Sequence, residues 1–313
     1  MTGASIRIGV DLGGTKTEAI ALGADGDVLA RRRVATPAGD YAAVVRTIAV
    51  LVHDIELELG RRAFVGVGTP GAISARSGCV KNSNTTALNG RPLQKDLQEA
   101  LAREVRLEND ANCFALSEAV DGAGAGAGSV FGVILGTGVG GGVVIGGALI
   151  RGRNRLAGEW GHNPLPWMEE NEFPGAPCYC GRKGCIETFL SGAGLSREFL
   201  VRSGLALTGE EIVFRARAGE ADAALALDAY RDRLARALAG VVNVIDPDVI
   251  VLGGGLSNID EIYPGLERRV EDYAFTDALD TRILRNIHGD SSGVRGAAWL
   301  WGRNEEATRF ESA

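Results

Sequence analysis

The 313-residue sequence has only three histidines, His53, His162 and His288, and an odd five cysteines. Three of those cysteines crowd into Cys178–Cys185, too close together for a disulfide framework. Positive charge is not in excess: 33 Lys and Arg face 40 Asp and Glu, a net charge of -7, which argues against a broad nucleic-acid or anionic-membrane surface. No apolar run is long enough to span a bilayer, because charges or turn residues break each one. The opening "MTGASIRIGVDLGG" goes straight into a strand pattern and lacks a signal-peptide core, so a cytoplasmic protein is expected.

Glycine is abundant, at 45 residues. It follows no G-X-Y repeat but gathers in short runs, which implies tight turns and backbone held close to a ligand. A small anionic ligand remains compatible with the negative net charge, because backbone N–H groups bind phosphate without lysine or arginine. With 45% hydrophobic and 23% charged residues, the chain reads as soluble, globular and long enough for two domains.

One supersecondary pattern occurs twice. "IRIGVDLGGTKTEAIALGADGDVLARRRV" reads strand, Gly-rich turn, strand, turn, strand, and "SVFGVILGTGVGGGVVIGGALIRG" repeats it. Two such hairpins suggest a duplicated protein whose halves clasp one phosphorylated ligand; the bland alternative is a pair of surface turns. Between them, Tyr41–Leu59 has helical spacing, Phe64–Gly71 is a strand with a Gly/Pro turn, and Leu93–Arg103 is a helix. Val105–Leu107 is a strand leading into a helix at "NDANCFALSEAV". Later come a long helix at Ala221–Val244, a buried strand at Val249–Leu252 running into Gly253, Gly254 and Gly255, and a last helix at "SSGVRGAAWLWG".

Four stretches carry candidate chemistry. In "DLGGTKTE", Asp11 ends a strand, Gly13 and Gly14 permit backbone approach, and Thr15 and Lys16 add donors; the spacing is neither a P-loop nor a dinucleotide fingerprint, and a plain β-turn is an even alternative. In "ENDANC", Asp110 is either a general base for a hydroxyl or only a helix cap. In "GEWGH", Glu159 and His162 are three residues apart. His162 completes a Cys₃His set with Cys178, Cys180 and Cys185, a donor combination suited to a closed, structural tetrahedral zinc. A redox pair or buried free thiols are the competing readings. Such a metal would fix the strand holding His162 and the loop holding Glu187, so that Glu159, His162 and Glu187 converge on a polyhydroxylated ligand.

These motifs, in this order, resemble the ROK sugar kinases of the actin-like ATPase superfamily: "DLGGTKTE", "GTPG", "ENDANC", "GTGVGGG", "GEWGH", "CYCGRKGCIE" and "DPDVIVLGGG". The resemblance covers nearly the whole chain. It implies an α/β fold of two actin-like (ribonuclease H-like, ASKHA) domains with the active site in the cleft between them. Residues 1–115 plus a C-terminal helix from about 293 to 313 would form the small domain, and 116–292 the large one with its zinc loop. The resemblance also implies ATP phosphates at Asp11, Gly13, Gly14, Thr15, Lys16, Thr137 and Gly138, with adenosine near Gly253–Gly255. Asp110 matches the family's general base, and Gly71, Asn84, Asn109, Asp110, Glu159, His162 and Glu187 match its sugar contacts. ATP, Mg²⁺ and structural Zn²⁺ are the implied cofactors, and a homodimer the implied assembly. "EWGHNPLPW" and "KNSNTTALNG" look most like the fructokinase/mannofructokinase branch, giving the 6-hydroxyl of fructose as the expected acceptor. N-acetylglucosamine is the alternative, and a non-catalytic sugar-responsive regulator a weaker one.

Overall fold

The computed structural model describes residues 5–302 except 38 and 84. The first half opens with a meander of β1 (Arg7–Leu12), β2 (Lys16–Leu22) and β3 (Val28–Ala35). Helix α1 (Tyr41–Leu59) follows. Asp40 caps it by accepting from the Ala43 N–H, its apolar stripe Val44, Ile48, Leu51, Val52 and Ile55 is buried, and Gly60 ends it at φ 62°. Strand β4 (Phe64–Thr69) then pairs parallel with β1. A small hairpin, β5 (Ala72–Ile73) and β6 (Val80–Lys81), and helix α2 (Leu93–Leu101) lead to β7 (Val105–Asn109), parallel to β4. The sheet order is β3-β2-β1-β4-β7, and helix α3 (Asp110–Val120) follows directly.

The second half repeats this plan. Strands β8 (Ser129–Leu135), β9 (Val139–Ile145) and β10 (Ala148–Leu149) form the meander. A long excursion follows, with α4 (Ile186–Leu190), α5 (Gly192–Ser203), α6 (Gly209–Arg217) and α7 (Ala221–Ile245). Then β11 (Val249–Gly253), α8 (Leu266–Glu271) and β12 (Arg282–Arg285) give the order β10-β9-β8-β11-β12, with β8, β11 and β12 parallel. Helix α9 (Ser292–Trp299) ends this half; residues 303–313, in the expected C-terminal helix, lie outside the described residues. The duplication read from the two Gly-rich hairpins is present in the topology.

The two halves exchange their last helices. Helix α3, which follows the first sheet, packs on β8 and β9 of the second, while α9 packs on β1 and β4 of the first and against α3. Glycine makes the central contact close. A Cβ on Gly296 of α9 would stand 1.6 Å from the Cys113 carbonyl oxygen of α3, so no larger residue fits there. A core of Cys113, Phe114, Leu116, Val294, Ala297 and Ala298 fills this central layer. The excursion is anchored from below by Glu172, whose buried carboxylate accepts from Arg233 and Arg236 of α7 at 2.6 and 2.7 Å. Burial alone would raise its pKa, but the two guanidiniums bring it down to about 2. Among the described residues no helix is long and apolar enough to cross a membrane.

Candidate active site

A cavity of about 250 Å³ opens where the two halves meet; Asp11, Gly13, Gly14, Asp110, Gly254 and Asp290 help line it. The first hairpin contributes through its turn, closed by the Gly13 N–H donating to the Lys16 carbonyl at 3.0 Å. Asp11 faces the cavity near the end of β1. Burial, then Asp110 and Glu18, push its pKa up to about 7, with Arg33 opposing. From the other half, Gly254 sits at φ 83°, where a Cβ would be 2.4 Å from the Leu135 carbonyl oxygen. A concave wall of glycine backbone facing crowded carboxylates suits an anion-plus-cation ligand such as a metal-bound nucleotide. Asp11, Asp110 and Asp290 are the carboxylates there that could serve a cation.

Asp110 is not the helix cap. Asn109 is: its Oδ1 accepts from Ala111 N and Asn112 N at 2.9 and 3.2 Å, and its Nδ2 donates to the Gly71 carbonyl at 2.9 Å. The carboxylate of Asp110, at the first helical position, is therefore available to the cleft. One of its oxygens accepts from the Ala111 N–H at 2.8 Å. Burial raises its pKa, the Ala111 amide lowers it and Glu159 raises it again, leaving it at about 6. A carboxylate poised near neutrality is suited to taking a proton from an alcohol.

The metal set is assembled as the spacing predicts. The ligand atoms of His162, Cys178, Cys180 and Cys185 lie within 4.8 Å of one another. His162 Nδ1 is 3.5 Å from Cys178 Sγ, and Cys180 Sγ is 3.6 Å from Cys185 Sγ. Tetrahedral zinc, with bonds of about 2.3 Å to sulfur and about 2.05 Å to nitrogen, separates its ligands by about 3.8 Å for S···S and about 3.5 Å for N···S. The donor set fits the ion. Two details differ from expectation: His162 stands on a 3₁₀ turn, Trp160–His162, rather than a strand, and Glu187 is in the first turn of α4 rather than a loop.

Glu187 connects this clamp to the second hairpin. Its Oε2 accepts from the Val139 N–H at 3.1 Å, and a Cβ on Gly138 would be 2.7 Å from the same oxygen. Glu187 Oε1 is 3.8 Å from Cys178 Sγ, and Glu159 immediately precedes the 3₁₀ turn that carries His162. Tyr179 was not foreseen. It lies between two metal-ligand cysteines, and its hydroxyl is 2.9 Å from His162 Nε2, the ring nitrogen turned away from Cys178.

Thr15, Lys16 and Thr137 are exposed on their hairpins, and Gly255 has no close neighbour at its Cβ position. Gly71 sits at φ 83° and anchors Asn109, while Asn84 lies outside the described residues. Asp290 and Gly293, on the segment after β12, also line the cavity, from a Gly/Ser-rich turn that opens a helix. The bulky side chains of "NPLPW" are engaged on the α7 side: Leu165 is in the core, Trp167 stacks on Tyr273 at 5.6 Å, and Arg236 donates to the Trp167 carbonyl at 2.8 Å.

Comparison with known proteins places these features in context. The ROK family model matches residues 7–304. The chain is 44% identical over 296 residues to N-acetyl-D-glucosamine kinase of Vibrio cholerae, covering 93% of this chain and 98% of that one. It is 43% identical to the Photobacterium profundum enzyme of the same name, with the same coverage. Among solved structures, the ROK hexokinase from Thermus thermophilus superposes with a TM-score of 0.84 at 32% identity, covering 94% of this chain and 96% of that one. A ROK glucokinase from Streptomyces griseus, solved with glucose and AMPPNP, gives 0.75 at 28% identity, covering 95% and 99%.

Proposed function

The chain belongs to the ROK family, a sugar kinase of the actin-like two-domain fold, and from that premise we propose that it phosphorylates N-acetyl-D-glucosamine with ATP. The observation that carries the choice of sugar is the 44% identity, along nearly the whole length of both chains, to an N-acetyl-D-glucosamine kinase. Fructose, expected from "EWGHNPLPW" and "KNSNTTALNG", becomes the second reading. Leu165 in the core and Trp167 on Tyr273 leave the bulky side chains of "NPLPW" out of the sugar's way.

In this reading Asp110 orients the sugar 6-hydroxyl and takes its proton as the oxygen attacks the γ-phosphorus, whose bond to the β,γ-bridging oxygen breaks to release ADP. Glu159, His162 and Glu187 hold the other hydroxyls. Backbone amides of the two hairpins face the phosphates, and bound Mg²⁺ supplies charge neutralisation there. The zinc clamp holds His162 and Glu187 in register. Residues 1–115 with the C-terminal helix, and 116–292, are the two proposed domains, with α3 and α9 the elements they share.

The test is ADP release with ATP, Mg²⁺ and a panel of N-acetylglucosamine, fructose, mannose and glucose. The highest kcat/KM is expected for N-acetylglucosamine. A higher value for fructose would move the assignment to the second reading, and no turnover with any sugar would refute the kinase reading.

A further inference from the structure

We propose that the hydroxyl of Thr85 donates a hydrogen bond to the γ-phosphoryl group of the bound nucleotide, making Thr85 a catalytic residue. Thr85 is only 8% exposed, and its Oγ1 has no hydrogen-bond partner among the described residues. Ser117 Oγ shares that condition, but Ser117 lies inside α3. Thr85 Oγ1 instead faces the first Gly-rich hairpin, 3.6 Å from the point where a Cβ on Gly14 would stand. Gly14 lines the cavity that also holds Asp11 and Asp110.

The backbone that carries the hydroxyl is held in place. Thr85 N donates to Ser83 Oγ at 3.1 Å, and its carbonyl accepts from Leu88 N at 3.0 Å. Asn89 then laces the loop, accepting from Ser83 N and donating to Ser83 O, both at 2.9 Å. Buried hydroxyls are nearly always satisfied, so a fixed donor without an acceptor beside a ligand cavity points to an acceptor that arrives with the ligand. Backbone amides of a Gly-rich hairpin favour a phosphate there over a neutral hydroxyl, and phosphate oxygens would supply the missing acceptor. A neutral donor preset at that point strengthens as charge develops on the transferring group.

This inference rests on the kinase reading, and the experiment separates the two. Thr85→Val keeps the shape and removes the donor; Thr85→Ser keeps the donor. Affinity for AMPPNP and for ADP is measured by calorimetry, alongside thermal midpoints and steady-state kinetics on the wild type's best sugar. Thr85→Val should weaken AMPPNP about 10-fold relative to ADP and lower kcat about 10-fold or more. Its thermal midpoint should stay level or rise, because an unsatisfied hydroxyl has been removed, and Thr85→Ser should recover wild-type behaviour within about 3-fold. Unchanged AMPPNP affinity and kcat in Thr85→Val would overturn the inference. So would equal loss of AMPPNP and ADP binding with a fallen midpoint, since that marks a packing role. Failure of the wild type to use any sugar refutes the kinase reading and leaves the AMPPNP-against-ADP comparison to decide this one.

Discussion

Glu187 and Val139 are joined by a hydrogen bond of 3.1 Å that runs from the second Gly-rich hairpin to the residue two places beyond the last cysteine of the metal set. A clamp on one side of the site thus holds a turn on the other. The position of Glu187 depends on Cys185, and the turn at Gly138 depends on Glu187.

Metal removal should therefore damage more than the sugar pocket. Burial and the neighbouring Cys180 and Cys178 side chains raise the pKa of the Cys185 thiol, so a bound cation would favour its thiolate form. Stripping zinc, or Cys180→Ser, is expected to lower the thermal midpoint and to raise KM for both sugar and ATP. Zinc content, calorimetry and kinetics on the same samples check this. Full activity in demonstrably zinc-free protein would break the link.

Asp110 should show opposite effects on activity and stability. Its folded pKa of about 6 exceeds its ordinary value of 3.8, so the folded chain holds a proton that the unfolded chain gives up. That contribution is present at pH below about 4 and is lost as pH rises through about 6. Asp110→Asn, which keeps the neutral form, should raise the thermal midpoint at pH 7.5 but not at pH 4, while kcat falls about 10²-fold to 10⁴-fold. In the wild type kcat/KM should climb with pH through about 6. Because Asn109 caps the helix, Asn109→Ala rather than Asp110→Asn should cost about 1 kcal/mol of stability.

Asp11 is expected to set the pH response of nucleotide binding. With its pKa held near 7 by burial and by Asp110 and Glu18, it must lose a proton before it can serve a cation. Affinity for Mg²⁺-AMPPNP is expected to rise between pH 6 and pH 8, and Asp11→Asn should flatten that rise. Calorimetry across the range decides it; a slope unchanged in the variant would remove Asp11 from the metal site.

Much of this was legible in the sequence, for physical reasons that differ by element. Helix α1 matches its expected bounds, Tyr41–Leu59, because Asp40 caps it, an apolar stripe runs its length and Gly60 stops it. The Cys₃His set was legible because ligand chemistry survives without knowledge of the fold. The capping roles at "ND" were not: Asn and Asp are both good caps, and only the backbone turn settles which carboxamide or carboxylate accepts. Helix α5 was hidden by its opening "GAG", a poor helix-forming start that Ser191 rescues by capping Gly194. Asp290 reaches the cavity, and Thr85 reaches the Gly14 turn, through contacts between segments far apart in the chain, which local pattern alone does not resolve.

The anchor beneath the metal loop gives a stability prediction. Glu172 is buried against Arg233 and Arg236, which keep Glu198 and Asp232 as second partners, so losing its charge-assisted hydrogen bonds should cost about 1.5–3 kcal/mol. Glu172→Gln should lower the thermal midpoint and loosen the segment leading to Cys178, seen as faster zinc loss to a chelator. Its pKa of about 2 lies below the ordinary 4.5, so its contribution is present above about 4.5 and disappears as pH falls toward 2. The difference in stability between wild type and Glu172→Gln should therefore shrink on acidification across that window. A difference that stayed constant down to pH 2 would mean that the carboxylate acts by shape rather than by charge.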